Sequence, residues 1–141
     1  MQDGSAEGFI ENRTFDELKI GDTASLARTL TPKDIQLFAA MSGDANPAHV
    51  DPEFAKSDMF HKIVAHGMWG GALISTVLGT ELPGPGTIYL GQTLRFRRPV
   101  GLGDVVTVTV ACQATKVPGG GFTRVTDFQV PLAPPGPMVR K

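Results

Sequence analysis

The chain has 141 residues, with 13 Lys or Arg against 14 Asp or Glu, a formal net charge of −1, and 41% apolar residues. That is one domain's worth of sequence with enough apolar material for a packed core, so a disordered chain is excluded. The absence of any basic cluster beyond Arg95, Arg97 and Arg98 argues against a nucleic-acid-binding surface, and the most apolar stretch, Met68 to Leu78, is too short to span a membrane.

Only 19% of residues are charged, a low share that points to surface buried against a partner subunit. Cys112 is the only cysteine, so neither an intramolecular disulfide nor a multi-cysteine zinc site can form. The first residues carry Asp3, Glu7 and Glu11 where a secretion signal needs a basic start and an apolar run. A cytoplasmic protein is expected.

In chain order, Thr23 to Leu30 places Ala24, Leu26 and Leu30 on one face at period two, interrupted by Arg28, and reads as a half-buried strand. Thr31-Pro32-Lys33-Asp34 opens a helix with a Thr N-cap, Pro in the first turn and an acid facing the positive helix end. Ile35, Phe38 and Ala39 form its apolar side, which Leu37 and Met41 widen, and Gly43 stops it. Gly43 to His49 reads as a loop, in which Pro47 holds Asn46 away from helical geometry. Asp51-Pro52-Glu53 then starts a short helix ending near Phe60.

Met68 to Thr80 is helical in length and carries no charge on any face, so it is expected to be buried nearly all round, inside a wrapping sheet. Strand signals follow at Thr87 to Phe96, Val105 to Thr115 and Phe122 to Val130, with Val106 to Val110 alternating strictly and glycines 119 to 121 offering a hairpin. The expected class is α+β, an antiparallel sheet curled around one buried helix.

The chemistry concentrates at Asp44 and His49, five residues apart across a turn containing Asn46 and Pro47. A carboxylate and an imidazole that converge can orient and deprotonate a water. The same residue types are also ordinary turn formers. A second element, Ile63 to Met68, leads into the apolar helix through His66 and Gly67. There a helix N-terminus offers unpaired N–H groups and partial positive charge, and Gly67 lets a carbonyl approach closely. Gly67 equally suits a tight entry into a buried helix. Ser75 lies two turns further on, either back-bonded to its own helix or lining a pocket; it lacks the setting of a nucleophilic serine. His49, His61 and His66 with Asp44 do not have helical zinc-site spacing, so no metal is expected, and no phosphate-binding loop follows the glycines. Arg95 and Arg97 share one strand face and read as its solvated side.

Ser42-Gly43-Asp44-Ala45-Asn46-Pro47-Ala48-His49 resembles the hydratase-2 motif of the MaoC-like, (R)-specific enoyl-CoA hydratases. His66-Gly67-Met68, Ile88 to Gln92, Leu94-Arg95-Phe96 and Pro99-Val100 are similar to the same family in the same order, and the likeness is greatest to the hydratase domain that some bacteria carry fused to a phosphate acetyltransferase. The resemblance implies a hot-dog fold and reversible syn hydration of a trans-2-enoyl-CoA to the (R)-3-hydroxyacyl-CoA, by a homodimer with no metal or redox cofactor. It implies that Asp44 and His49 activate water and protonate the α-carbon and that Gly67 is the backbone oxyanion donor. Asn46 shapes the loop, while Ser75 and His66 complete the substrate site. A 3-hydroxyacyl-carrier-protein dehydratase, a thioesterase or a non-catalytic acyl-CoA-binding domain stay open as alternatives on the same fold. The expected organisation is a polar segment over 1–14, the hydratase domain over 15–130, and a tail over 131–141. The four prolines of that tail, Pro131, Pro134, Pro135 and Pro137, bar it from being an ordinary central strand, where the family has a further one.

Overall fold

The computed structural model of the chain describes residues 10–114 and the two-residue segment 124–125. After a 3-10 turn at Phe15–Glu17 come β1 (Thr23–Thr29), α1 (Pro32–Ser42), α2 (Pro47–Val50), α3 (Pro52–Ser57), α4 (Gly67–Thr80), β2 (Val105–Ala114) and β3 (Arg124–Val125). The sheet order is β1-β2-β3 with both pairings antiparallel. α4 packs across β1 and β2, the helix-on-sheet arrangement expected of the hot-dog class.

The register of β1 on β2 runs from Thr23 opposite Ala111 to Thr29 opposite Val105. Because side chains alternate along a strand, this puts Val106, Val108, Val110 and Cys112 on the helix side, where none is more than 2% exposed. Ala24 and Leu26 stand opposite Val110 and Val108 and are half-buried. Arg28, which breaks that apolar alternation, stands opposite Val106 near the sheet's end and sends its guanidinium to Asp34 Oδ1 at 2.7 Å.

The start of α1 follows its sequence signal. Asp34 Oδ2 accepts from the Thr31 backbone N–H at 2.9 Å and from Thr31 Oγ1 at 2.7 Å, while the Thr31 side chain accepts from the Asp34 N–H, closing a capping box. Burial raises the cost of charge on Asp34, but the Thr31 hydrogen bonds and the Arg28 guanidinium outweigh it and hold the carboxyl below its ordinary range. At the other end Gly43 takes a φ of 78°, the left-handed conformation that glycine adopts without strain, and its N–H closes on Ala39 O.

Five expectations need correction. Leu37 and Met41 do not widen the buried side of α1; they are exposed, since Asp34 and Ile35 are what α1 buries. Residues 43–49 are not wholly loop, because Asn46 caps and Pro47 opens the single turn α2, and α3 stops at Ser57 instead of near Phe60. α4 buries Trp69, Gly71, Leu73, Ile74 and Val77 but leaves Met68, Ala72, Ser75, Thr76 and Gly79 exposed. The described strands cover one side of the helix, and its other side is mostly small or hydroxylated, with Thr76 and Thr80 returning hydrogen bonds to Ala72 O and Thr76 O. Finally, Thr87 to Phe96 forms no strand: its residues favour one, but a strand needs a partner, and none pairs with it among the described residues. The glycine hairpin at 119–121, most of the Phe122 to Val130 strand and the tail 131–141 lie outside the described residues.

Candidate active site

The site is built on the turn between α1 and α2 and on the entry to α4. Beyond Gly43, the Asp44 N–H donates to Ser42 Oγ at 3.1 Å, and Asp44 Oδ1 accepts from the Asn46 N–H at 3.2 Å. Asn46 Oδ1 in turn accepts from the Ala48 N–H at 3.0 Å, capping α2. This relay of short side chains onto the next backbone is the local reason for the Asp-x-Asn-Pro pattern, and it carries His49 into the last turn of α2. Asp44 is exposed and His49 half-buried.

His49 Nδ1 lies 2.7 Å from Val64 O. A carbonyl can only accept, so the proton sits on Nδ1 and the neutral ring keeps its lone pair on Nε2. Val64 is itself fixed by a bridge to Gly101 and by the Ala65 N–H donating to Val100 O at 2.7 Å. His66, 3% exposed at the N-cap of α4, points Nε2–H at the backbone carbonyl of Asp44, 2.8 Å away. Its ring stacks on His49 with centroids 4.0 Å apart, and the Phe38 ring lies 4.8 Å from it.

One ligand-type atom from each of Asp44, His49 and His66 falls within 4.8 Å of the others. A metal could draw on no other group of this kind among the described residues. The two imidazoles are stacked and tilted by 30°, and each ring commits one nitrogen to a carbonyl. The arrangement suits proton transfer better than chelation.

Gly67 follows His66 as the first residue of α4, and no side chain caps this helix end. Its leading N–H groups and the positive end of the helix dipole therefore face the site side of the molecule. A Cβ at Gly67 would meet the Phe96 ring at 3.2 Å, which gives glycine a packing reason to be there as well. Ser75 is exposed, not buried, and with Phe38, Met68, Gly71, Ala72, Tyr89, Leu90, Gly91 and Gln92 it lines an open cleft of about 500 Å³. Eight residues at 1.5 Å rise place it about 12 Å along the axis from Gly67. Burial raises the Tyr89 phenol above its ordinary range, and its O–H donates to Gln92 Oε1.

The structure thus brings Asp44, Asn46, His49, His66 and Gly67 together at one end of α4 and sets Ser75 in the adjoining cleft. His66, expected at the substrate site, is 3% exposed and hydrogen-bonds to the Asp44 carbonyl. Two participants escape sequence reading. Phe38, read as a core position of α1, joins the cleft to the histidine pair, and the Val64 carbonyl sets the His49 tautomer without any side-chain signal.

The MaoC like domain family matches residues 18–127 of the chain. An (R)-specific enoyl-CoA hydratase of Rhodospirillum rubrum is 52% identical over 96 residues, 68% of this chain and 67% of that protein. The protein of the same name in Aeromonas caviae is 43% identical, over 70% of this chain and 74% of its own length. Among solved structures, the R-hydratase PhaJ1 of Pseudomonas aeruginosa superimposes with a TM-score of 0.72 at 50% identity, covering 76% of this chain and 68% of that one.

Proposed function

This chain belongs to the family of MaoC-like domains, and on that premise we propose that it is an (R)-specific enoyl-CoA hydratase, adding water reversibly to a trans-2-enoyl-CoA. The observation that carries the reading is the pairing of the Asp44 carboxylate with a His49 ring whose Nδ1–H is already spent on Val64 O. The Nε2 lone pair is then free to take a proton. Water held between the two side chains adds its oxygen to C3 of the enoyl group, and its proton passes through the pair to C2 on the same face. Negative charge collects meanwhile on the thioester oxygen, and the Gly67 N–H at the uncapped end of α4 offsets it there. Acid and base on one side of the substrate account for syn addition.

The cleft beside α4 takes the acyl chain, with the apolar Phe38, Met68, Ala72 and Leu90 along it and the Ser75 hydroxyl among them. The hydratase domain is the span 15–130. It works as a homodimer, a reading supported by Ile88, Leu90 and Phe96, which are 68%, 78% and 64% exposed on a segment without a strand partner among the described residues. No helix among the described residues is long and apolar enough to cross a membrane, and a single cysteine suits the reducing cytoplasm. Incubating the protein with crotonyl-CoA and following the loss of enoyl absorbance tests the proposal: steady turnover supports it, and a folded protein that binds crotonyl-CoA without converting it contradicts it.

A further inference from the structure

Asp44 and His49 have little of their own to hold them in place. Asp44 is exposed, and α2, which carries His49, is a single turn with no buried residue. The side-chain relay from Ser42 to Ala48 fixes the shape of the turn, yet every one of its bonds is internal to the turn and its flanks. It does not fix where the turn stands over α4. Two long-range hydrogen bonds tie it to the segment that enters α4: His49 Nδ1–H to Val64 O, and His66 Nε2–H to Asp44 O.

We propose that His66 is a positioning residue for the hydration reaction, tying the water-activating pair to the oxyanion end of α4; the role rests on the hydratase reading above. From outside the turn it meets both partners, Asp44 through a hydrogen bond and His49 through a ring stack. It is also the residue next to Gly67, so a single peptide unit separates the side chain that holds Asp44 from the N–H assigned to the thioester oxygen. One residue therefore links the two halves of the site directly. At 3% exposure, packed against Phe38, the ring has no room to serve from another position. Its contact with Asp44 requires the Nε2–H tautomer, because the acceptor is a carbonyl. That leaves Nδ1, buried and without a hydrogen-bond partner, as the cost of the arrangement. A buried polar atom left unpaired is what a core aromatic would avoid, and it marks a ring kept for its N–H.

Two substitutions separate the ring from the donor. His66→Phe keeps the stack and the volume but has no N–H, and His66→Gln keeps an N–H without the ring. The role predicts that His66→Phe stays folded while kcat on crotonyl-CoA falls about 10- to 100-fold with KM within about threefold, the scale of a misplacement near 1 Å. It also predicts that His66→Gln recovers part of the lost kcat. Amide hydrogen exchange of the intact chain supplies a readout that needs no turnover: in His66→Phe exchange rises at residues 44–50 and holds elsewhere. Full kcat in His66→Phe, or a loss confined to KM, would overturn the role, the second by making His66 a substrate-binding residue. So would unchanged exchange across 44–50. If the wild-type protein fails to hydrate crotonyl-CoA yet exchange changes as stated, the hydratase reading falls and the positioning of Asp44 stands.

Discussion

The two sides of α4 share one backbone and behave as different materials. On the sheet side Trp69, Leu73, Ile74 and Val77 are at most 6% exposed and meet a β2 face of alternating valines. On the other side Ala72, Ser75 and Thr76 are exposed, and beyond the helix start stands a turn held by hydrogen bonds, leading into an α2 that has no buried residue. Apolar burial is non-directional and tolerant of small shifts, so it supplies stability; hydrogen bonds to fixed carbonyls are directional, so they supply geometry. The difference teaches that stability and chemistry are separable here: damage to one side should leave the other readable.

The largest effect is expected at the turn. His49→Ala and Asp44→Asn should each lower kcat about 10²- to 10⁴-fold, the usual contribution of a positioned acid or base, with the melting temperature nearly unchanged because neither side chain belongs to the core. Steady-state kinetics beside a thermal melt checks both halves. Loss of folding together with activity would erase the distinction between the two sides.

Next comes Leu73→Ala on the sheet side. Removing a core leucine that is 5% exposed should cost about 2 to 5 kcal/mol in denaturant unfolding, while the folded fraction keeps its kcat within a few-fold. Asp34 sharpens the comparison from another direction, since it is buried, charged and part of a cap. Asp34→Ala should cost about 1 to 2 kcal/mol. Its folded carboxyl lies below the ordinary value of 3.8, so its contribution is complete above that value and is lost as pH falls from there through the lower folded value. Acid unfolding followed by circular dichroism should be steeper in the wild type than in Asp34→Ala over that window. The smallest change is Thr76→Ala on the open side, within about 0.5 kcal/mol, which a pair of urea melts resolves.

Where a residue's role depends on its neighbours in sequence, the chain could be read directly. The alternating valines of β2, the Thr31 cap with Asp34, the Gly43 stop and the Asp44-to-His49 turn all declare themselves through local patterns. The open side of α4 is not legible in the sequence, because absence of charge does not say which faces of a helix are covered. Thr87 to Phe96 reads as a strand from residue preference alone, and preference does not provide a pairing partner. At the site, Asp44 and His49 were legible from type and spacing, but the Val64 carbonyl and the hold of His66 on Asp44 O span 15 and 22 residues through main-chain atoms that every residue possesses.

Hydration of crotonyl-CoA in deuterium oxide, with the configuration at both carbons read by NMR, puts the central claim to its most direct test. The (R)-specific reading predicts the (R)-3-hydroxy product, and one Asp44–His49 cluster delivering oxygen and proton from the same side predicts deuterium added syn at C2. An (S) product or anti addition would contradict it.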